Sequence, residues 1–407
     1  MTAPRDRMTT GAAAAGLDGH DLTARILVVD DLRSSRLLIG SVLMTAGYCD
    51  IVYAEDGAEA VLRLREQAFD MVILDIVMPR MDGFEVCRRI RGELQLDIPI
   101  LIQTGVTEAD RRVQAFDAGA SDIVSKPINA GELVSRVRLH LDRRRLIRRL
   151  EAYRQRMQDE LEAAQDMQMS LLASDADVSG IVVPRGASVE TFYQPSNTLG
   201  GDLWQIFPVD ETRFAVFMVD LSGHGVSAAI NAFRVHMLAG GLGALRADPS
   251  AWMEALNRGL AEILPVEHFA AAFYGVIDPA AGRIDYAAAG WPEPVLLQAD
   301  GGWQALDGSG LILGCSSAAC YEARSLTVAP GDRLFVYSDA LCEDFDRPHR
   351  SLPTAGVAAA ATAALADDSR DFAGAVLDQV FADRGAGARG GFRDDMTFVL
   401  VTLEETA

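Results

Sequence analysis

The chain of 407 residues is poor in cysteine and in positive charge. Its five cysteines are scattered and include no CxxC pair, which favours reduced thiols, buried as small apolar side chains, over disulfides or a zinc site. The 37 basic residues are outnumbered by 58 acidic ones, and the formal net charge of −21 argues against a binder of nucleic acids or anionic membranes. The acidic surplus directs attention to carboxylates that hold metal ions.

Long apolar runs are also missing. No segment approaches the roughly 20 apolar residues that span a bilayer, and the N-terminal stretch lacks the hydrophobic core of a signal peptide. These absences predict a cytoplasmic protein with neither nucleic-acid nor membrane partners. With 49% hydrophobic and 23% charged residues, the composition is typical of globular domains, and the length favours two or three of them.

The chain divides into four segments by their residue patterns. We expect a disordered tail over 1–24, an α/β domain over 25–142, a helical linker over 143–175 and a further domain over 180–405. Short apolar runs alternate with amphipathic stretches in the second segment, which predicts a doubly wound, five-stranded parallel sheet. The last segment combines many short β-like runs with separate helical stretches, which predicts an α+β two-sheet sandwich.

The linker is dense in helix formers, and 141–172 contains no glycine or proline. Its apolar or long side chains follow a 4-3 spacing, broken only by Glu160, which favours a coiled coil and a homodimer through it. The seam positions are Leu146, Leu150, Tyr153, Met157, Ala164, Met167 and Leu171. A solvated spacer helix that packs on its own domain is the alternative, because the seam is short.

Polar side chains are expected at the carboxyl ends of the parallel strands, where functional groups of such sheets meet. They are Asp30, Asp31, Asp75, Thr104 and Lys126. Converging carboxylates repel one another, so we expect a Mg²⁺ ion among them. Its predicted ligands are Asp30, Asp31, Asp75 and the Val77 carbonyl. A free oxygen of Asp75 can then attack a phosphoryl donor, and Thr104 and Lys126 can bind phosphoryl oxygens.

The motifs VVDD, VILDIVMPRMDG and SKP, with the Thr104-Gly105 pair, resemble the receiver domains of response regulators over about residues 25–142. This resemblance implies that a histidine kinase or phosphotransfer protein phosphorylates Asp75. Ile123 replaces the aromatic residue usual three positions before the lysine. We therefore expect the response to phosphorylation to use packing around Thr104 and Ile123.

A second set of carboxylates lies in the last segment, at the ends of strand-like runs or in turns. Its members are Asp202, Asp220, Asp339, Asp394 and Asp395. Well over a hundred residues separate the first from the last, as expected of a two-metal site built between two sheets. Oxygen ligands without a histidine or cysteine pattern favour Mn²⁺ or Mg²⁺ over zinc.

Stretches such as FYGVIDPAAGRIDYAAAG and VAPGDRLFVYSDALCED, together with these carboxylates, resemble the metal-dependent PPM phosphatases of the bacterial SpoIIE type. The ligands that the resemblance implies are Asp220, bridging two Mn²⁺ or Mg²⁺ ions, the Leu221 carbonyl, Asp339 and Asp394. Asp202 is implied to hold water of the metal site. The choice of Asp394 over Asp395 rests on the resemblance, since Asp395 can also be a turn former.

Other positions have a plain structural alternative or depart from the family pattern. His224 lies between two glycines and fits a turn better than a general acid, and Glu343 fits a surface or helix-entry role as well as a site role. The departures are Gln205, Trp291 and Ala340. If position 340 requires a positive φ, its alanine adds local strain.

The two resemblances predict a response regulator in which phosphorylation of Asp75 controls a metal-dependent protein-serine/threonine phosphatase. The implied substrate is a phosphorylated STAS-type anti-sigma-factor antagonist. The alternative is a non-catalytic adaptor similar to RssB, which binds a sigma factor or a component of an anti-sigma system. The carboxylates at 202, 220, 339 and 394 favour catalysis, because such groups are costly to crowd together without a metal.

Overall fold

The computed structural model describes residues 22–105, 109–223, 225–265, 267–343, 351–366, 371–382 and 394–404. All but the last three residues of the predicted tail, 1–24, lie outside this described part. The chain forms two compact units, Met1–Arg156 and Met157–Ala407. No helix in the described part combines the length and the apolar character needed to cross a bilayer.

The first unit alternates strands and helices. Its strands are β1 (Arg25–Val29), β2 (Asp50–Ala54), β3 (Met71–Asp75), β4 (Ile100–Thr104) and β5 (Asp122–Ser125). Its helices are α1 (Arg33–Thr45), α2 (Gly57–Glu66), α3 (Gly83–Gly92), α4 (Ala109–Asp117) and α5 (Ala130–Met169). The parallel strands follow the order β2-β1-β3-β4-β5, which confirms the doubly wound sheet and places its change of winding direction between β1 and β3.

The strands of this sheet are mostly apolar between their ends because helices cover both faces. In β1, Leu27 and Val29 pack in a core with α2 and α3, whereas Ile26 and Val28 pack in a core with α1 and α5. Polar side chains are thereby confined to the ends of the strands. The carboxyl edge of the sheet is where the predicted acidic residues collect.

Helix α5 extends well beyond the part that packs in the core of the first unit. Leu133, Val137 and Leu141 are buried in the first unit, and the same helix then runs on through most of the predicted linker 143–175. Neither glycine nor proline interrupts 132–169, so no residue of that stretch breaks the helix. The linker is therefore an extension of the last receiver-like helix rather than a separate one.

The second unit contains the remaining elements. Its helices are α6 (Asp175–Val182), α7 (Val226–Gly241), α8 (Pro249–Ile263), α9 (Asp339–Cys342), α10 (Thr354–Leu365) and α11 (Phe372–Ala382). Its strands are β6 (Ala187–Gln194), β7 (Leu203–Pro208), β8 (Phe214–Leu221), β9 (Ala270–Asp278), β10 (Arg283–Ala289), β11 (Val295–Leu297), β12 (Trp303–Ala305), β13 (Arg324–Thr327), β14 (Arg333–Tyr337) and β15 (Met396–Leu403). They form two antiparallel sheets, β13-β10-β9-β8-β7 and β12-β11-β14-β15-β6.

Four layers build this unit. In β8, Phe214 and Val216 lie in the core between the two sheets, while Ala215 and Phe217 lie in the core under α7 and α8. Successive residues of a strand point to opposite faces, so one apolar run supplies both cores. Helices α10 and α11 cover the outer face of the other sheet. The predicted α+β two-sheet sandwich is confirmed, with helices on both outer faces.

The cysteines are free thiols. Cys87 is buried, as expected, but Cys49, Cys315 and Cys320 are exposed and Cys342 is half-buried. The prediction that these residues serve as small buried side chains is therefore wrong for the three exposed thiols. Their loop positions leave them outside the packed cores.

Candidate functional sites

The first acidic cluster lies at the carboxyl edge of the parallel sheet. Asp30 follows β1 and is fully buried, Asp31 beside it is exposed, and Asp75 is the buried last residue of β3. One carboxylate oxygen from each lies within 4.8 Å of the others, so a single cation can contact all three. Within the described ranges, this is the only set of three potential metal ligands grouped so closely. Oxygen donors of this kind fit Mg²⁺.

Lys126 supplies a positive charge to this cluster. Its Nζ lies 2.8 Å from Asp75 Oδ2 and 3.2 Å from Asp30 Oδ2. The backbone N–H of Lys126, just after β5, donates to the Thr104 carbonyl at the end of β4, which fixes the lysine beside that strand. Val77 follows Asp75 by two residues and has an exposed side chain. The structure thus gathers the predicted residues of the first site at one edge.

The charges of this site shift one another's protonation. Burial raises the pKa of Asp75, and Asp30 adds to this rise, while Lys126 opposes it. Burial by itself lowers the pKa of Lys126, but the ion pairs with Asp75 and Asp30 outweigh it and the pKa is raised. Lys126 therefore remains a charged partner of the carboxylate that would receive a phosphoryl group.

A close backbone approach shapes the same site. The N–H of Gly83, the first residue of α3, donates to the Ile76 carbonyl. A Cβ at Gly83 would lie 2.3 Å from the Asp75 carbonyl oxygen, so only glycine fits. The glycine of the MDG motif thus lets α3 start directly against the strand that carries Asp75.

The second acidic cluster joins segments that are far apart in the sequence. Asp202 precedes β7, Asp220 lies near the end of β8, Asp339 opens α9, and Asp394 precedes β15. Asp202 and Asp339 each have a raised pKa, to which the charge of Asp220 contributes, so the three carboxyl groups lie close together. The fold brings this set together between the ends of the two sheets.

The second cluster is electrostatically strained in the absence of cations. Burial raises the pKa of Asp339 to about 8, with Asp220 and Asp394 adding to the rise. Burial and Asp394 raise the pKa of Asp220 to about 6. Burial and Asp220 raise the pKa of Asp202 well above its ordinary value. Buried carboxyl groups that repel one another in this way are suited to divalent cations.

Asp394 and Asp395 have different surroundings. One oxygen of the buried Asp395 accepts hydrogen bonds from the Ser196 N–H at 2.7 Å and the Ser196 O–H at 3.0 Å, and the other accepts from the Gly201 N–H. The charge of Asp394 contributes to the raised pKa of both Asp220 and Asp339. Asp395 thus fixes a turn through its hydrogen bonds, and its charge also adds to the raised pKa of Asp202 and Asp220.

The Gly200-Gly201 turn before Asp202 is sterically tight. A Cβ at Gly201 would lie 2.8 Å from the Leu221 carbonyl oxygen, and one at Gly200 would lie 2.6 Å from the Tyr193 hydroxyl oxygen. Asp202 itself is buried and accepts a hydrogen bond from the Thr397 hydroxyl. The two glycines therefore let Asp202 approach β8, where Asp220 and Leu221 lie.

Gln168, which no motif or spacing in the sequence identifies, is 4% exposed near the end of α5. Its Nε2 donates to the Gly200 carbonyl at 2.6 Å, and the Gly200 N–H donates to its Oε1 at 3.2 Å. No spacing rule distinguishes this glutamine from its helical neighbours, because only the fold brings it to the turn. The pair of bonds ties the end of α5 to the segment that carries Asp202.

The departures from the family pattern have local explanations. Gln205 Nε2 lies 2.7 Å from His236 Nδ1 on α7, and Trp291 is buried in the core between the sheets. Ala340 lies inside α9, so the positive φ considered above does not arise and its alanine adds no strain of that kind. Within the described residues, Gln205 Oε1 and Trp291 Nε1 are nevertheless buried without a hydrogen-bond partner.

Two glycines shape the turn between Asp220 and α7. Gly223 has a φ of 98° and Gly225 a φ of 73°, a region that disfavours residues with a Cβ. The tight turn expected from the sequence is confirmed. His224, which lies between them, is outside the described residues.

A cavity of about 310 Å³ opens beside the second cluster. Asp220, Asp339, Glu343 and Trp291 are among its lining residues. Glu343 is exposed, and it also contributes to the raised pKa of Asp339. A phosphorylated side chain that enters this cavity would reach the acidic cluster.

Comparison with known proteins accounts for both units. A family model of the response regulator receiver domain matches residues 26–138, and one of stage II sporulation protein E (SpoIIE) matches residues 210–404. The chain carries a response regulator receiver domain. Behind its receiver domain it carries a SpoIIE-type domain, as both sequence resemblances predicted.

Individual relatives cover parts of this chain. It is 42% identical over 122 residues to response regulator MprA of Mycobacterium tuberculosis, a match that covers 30% of this chain and 52% of MprA. The chain thus spans about half the length of the curated relatives it matches. The SiaA-PP2C domain of Pseudomonas aeruginosa has a TM-score of 0.51 at 19% identity, covering 62% of this chain and 99% of that one. At this identity the likeness shows the fold alone.

Proposed function

We propose that the chain is a response regulator whose receiver domain controls a metal-dependent protein-serine/threonine phosphatase. The observation that carries the proposal is the second acidic cluster, in which burial and mutual repulsion raise the pKa of Asp220 to about 6 and of Asp339 to about 8. An arrangement this unfavourable without cations is expected where cations bind. Its cavity of about 310 Å³ gives a phosphorylated side chain access.

Five groups would hold two Mn²⁺ or Mg²⁺ ions in this site. They are Asp202, Asp220, the Leu221 carbonyl, Asp339 and Asp394. Bound there, the ions would polarise the phosphoryl group and activate water for in-line attack. The oxygen-only donor set fits these hard cations. Asp395 has a supporting role in this assignment, because both of its oxygens already accept hydrogen bonds from Ser196 and Gly201.

The protein's own contribution is to position these groups. The Thr397 hydroxyl orients Asp202, and Asp395 holds the Gly201 N–H, so the turn before Asp202 is fixed from two sides. The cavity wall at Trp291 and Glu343 confines the entering side chain. A phosphoserine or phosphothreonine of a STAS-type anti-sigma-factor antagonist is the substrate we propose.

The receiver site would accept a phosphoryl group on Asp75 from a histidine kinase or phosphotransfer protein. Asp30, Asp31, Asp75 and the Val77 carbonyl would hold Mg²⁺, which offsets phosphoryl charge during transfer. An oxygen of Asp75 forms the new bond to phosphorus as the bond to the donor histidine breaks. Lys126, 2.8 Å from Asp75, is placed to pair with the transferred group, and Thr104 ends the adjacent strand.

Helix α5 is the proposed route between the two sites. Its first turns are buried in the receiver core, and Gln168 near its end bonds to the Gly200 peptide, two residues before Asp202. In this proposal, phosphorylation of Asp75 promotes pairing of α5 between two copies and so favours the arrangement that binds both metals. Such a shift requires contacts that differ between the two states.

The decisive experiment measures Mn²⁺-dependent hydrolysis of a phosphorylated STAS protein, with Asp220→Ala as the control. We expect hydrolysis by the unaltered chain, none after chelation and none by the variant. A metal-free chain should retain the phosphoprotein in a pull-down, which identifies the substrate. Metal-independent binding of a sigma factor without hydrolysis of any phosphoprotein would contradict the proposal and support the adaptor alternative.

A further inference from the structure

The exposed part of α5 is divided into two halves of opposite charge. Residues 143–156 contain seven arginines and one acidic residue, Glu151. Residues 157–169 contain four acidic residues and neither lysine nor arginine. Several of the arginines form local contacts: Arg144 donates to the Asp97 carbonyl, Arg148 pairs with Asp70, and Arg156 donates to the Ala152 carbonyl. The surplus of arginines in one half and of acidic residues in the other still gives this single helix a basic surface next to an acidic one.

An exposed apolar stripe runs across the boundary between these halves. Leu146, Leu150, Tyr153 and Met157 share one helix face and are 69%, 66%, 57% and 40% exposed. Their spacing of four, three and four residues is that of a coiled-coil seam. Such a stripe is costly to leave in water, and a second copy of the same helix would cover it.

The ends of the stripe carry opposite charges. Arg143 lies three residues before Leu146 and Glu160 three residues after Met157, so both occupy seam positions of the same repeat. Both are exposed, and neither forms an ion pair within the part of the chain that the structure describes. Their partners must therefore come from outside this helix if they are to be paired.

We propose that α5 pairs with α5 of a second copy in antiparallel orientation. With the twofold axis between Glu151 and Ala152, Leu146 of one copy lies against Met157 of the other. Leu150 of one copy likewise lies against Tyr153 of the other. This arrangement also places Arg143 against Glu160 at both ends, and the basic half of each helix beside the acidic half of the other. The orientation goes beyond the proposed function, because it holds whether or not phosphorylation controls the pairing.

A parallel pair of the same helices would be electrostatically unfavourable. Arg143 would face its own counterpart, Glu160 would do the same, and the two basic halves would lie side by side. The antiparallel pair has two like-charge contacts of its own, where Arg149 of each copy lies beside Arg156 of the other at the solvent-exposed rim. Salt screens such a rim pair, whereas charges inside the seam are screened less. The charge pattern therefore selects the antiparallel arrangement.

Cross-linking of the full chain decides the orientation. The background has Cys49, Cys315 and Cys320 replaced by serine, and Leu146→Cys and Met157→Cys are introduced singly and together. We expect an intermolecular disulfide in the double variant only. In the antiparallel pair, two copies of position 146 are offset by 11 residues, or about 16 Å along the axis, too far for a disulfide.

Disulfide cross-linking of each variant is measured with and without Mg²⁺ and a small-molecule phosphodonor. Cross-linking of either single variant would show a parallel pair and overturn the proposal. Absence of cross-links from every variant in both conditions, together with a monomer in sedimentation, would overturn it in favour of a spacer helix. Within one helix the two cysteines are also about 16 Å apart, so an internal disulfide cannot mimic the expected product.

A charge exchange gives a second, independent test. Arg143→Glu and Glu160→Arg should each weaken dimerisation about tenfold in sedimentation equilibrium, because each creates two like-charge pairs in the antiparallel seam. The double variant restores opposite charges and should dimerise within about threefold of the unaltered chain. Failure of the double variant to recover, with helicity unchanged in circular dichroism, would overturn the orientation. Neither test depends on phosphatase activity, so it can fail or succeed separately from the proposed function.

Discussion

The two acidic clusters of this chain differ in how their charges are balanced. In the receiver domain, Lys126 lies within 3.2 Å of both Asp75 and Asp30, so the protein itself provides a cation. Asp31 is exposed. This cluster therefore combines three acidic side chains with one basic side chain of the protein.

In the SpoIIE-type domain, the described charges around Asp339 oppose its ionisation instead of supporting it. The neighbouring charges that act on the pKa of Asp339 all come from acidic residues, namely Asp220, Asp394 and Glu343. We expect the protonation of this cluster to respond to pH, since the pKa of Asp339 is raised to about 8. Buried carboxylates thus have a cationic neighbour in the receiver domain, whereas Asp339 has acidic neighbours in the SpoIIE-type domain.

Loss of a central carboxylate should have the largest effect on this contrast. Asp220→Asn is expected to lower metal-dependent phosphatase turnover by more than about a hundredfold, since groups that merely support metal ligands already cost 10- to 100-fold. Steady-state hydrolysis of a phosphoprotein across a Mn²⁺ titration measures this. The variant should still accept a phosphoryl group on Asp75, which serves as its control. Turnover within tenfold of the unaltered chain would remove Asp220 from the metal site.

The converse variant removes the receiver's acceptor and leaves the other cluster intact. Asp75→Asn should abolish phosphorylation from a small-molecule phosphodonor, because an amide oxygen is not a nucleophile of comparable strength. Basal hydrolysis should persist, while any change of rate or dimerisation on adding phosphodonor should disappear. Mass spectrometry of the intact protein and the hydrolysis assay measure these outcomes. A phosphodonor response equal to that of the unaltered chain would refute Asp75 as the control point.

A smaller effect is expected where α5 meets the second cluster. Gln168→Ala removes both bonds to the Gly200 peptide and should raise the Mn²⁺ concentration needed for half-maximal activity by about 10- to 100-fold. Gln158→Ala is the matched control, since Gln158 lies on the same helix, is exposed and bonds only to Glu162 in its vicinity. It should change the metal requirement by less than about twofold. Equal behaviour of the two variants would show that the Gly200 bonds do not support the metal site.

The smallest expected effect is on pH-dependent stability. Because the pKa of Asp339 is raised in the fold, to about 8, the folded metal-free protein holds a proton that the unfolded chain releases near pH 4. The stabilisation from this proton is complete at low pH and is lost as the pH rises toward 8. The melting temperature of the chelated protein should therefore fall as the pH rises. Between pH 5.5 and 8.5, this fall should be smaller by roughly 5 °C in Asp339→Asn than in the unaltered chain.

Saturating Mn²⁺ should reverse this trend, because ionised carboxylates bind the metal and protonated ones do not. Differential scanning calorimetry with and without Mn²⁺ at several pH values provides the check. If the melting temperatures of the unaltered chain and of Asp339→Asn changed equally with pH under chelation, Asp339 would not be the group that holds this proton.

Much of the fold was readable from the sequence because its signals are local. The apolar runs ending in Asp30, Asp75 and Thr104 coincide with β1, β3 and β4 within one or two residues, since buried parallel strands are apolar on both faces. The candidate site residues were also identified at the strand ends or turns where the structure places them. Their metal and catalytic roles stay predictions.

Other features of the structure could not be predicted from local sequence patterns. Gln168 looks like any polar residue of a helix, and its bonds to Gly200 depend on contact across 32 positions. The different surroundings of Asp394 and Asp395 depend on Ser196, about 200 residues earlier in the chain. The helical setting of Ala340 likewise follows from α9 and not from the glycine usual at that position.

By itself the sequence determined two domains, their fold classes and two sets of carboxylates, because hydrophobic periodicity and strand-end positions are properties of short segments. Only the tertiary structure decided which carboxylates lie close enough to raise one another's pKa. It also decided which carboxylates are balanced by a lysine or by backbone N–H groups. The physical reason is that burial and charge interaction depend on distance in space. Lys126 and Asp30 are 96 positions apart, yet 3.2 Å separate their charged atoms.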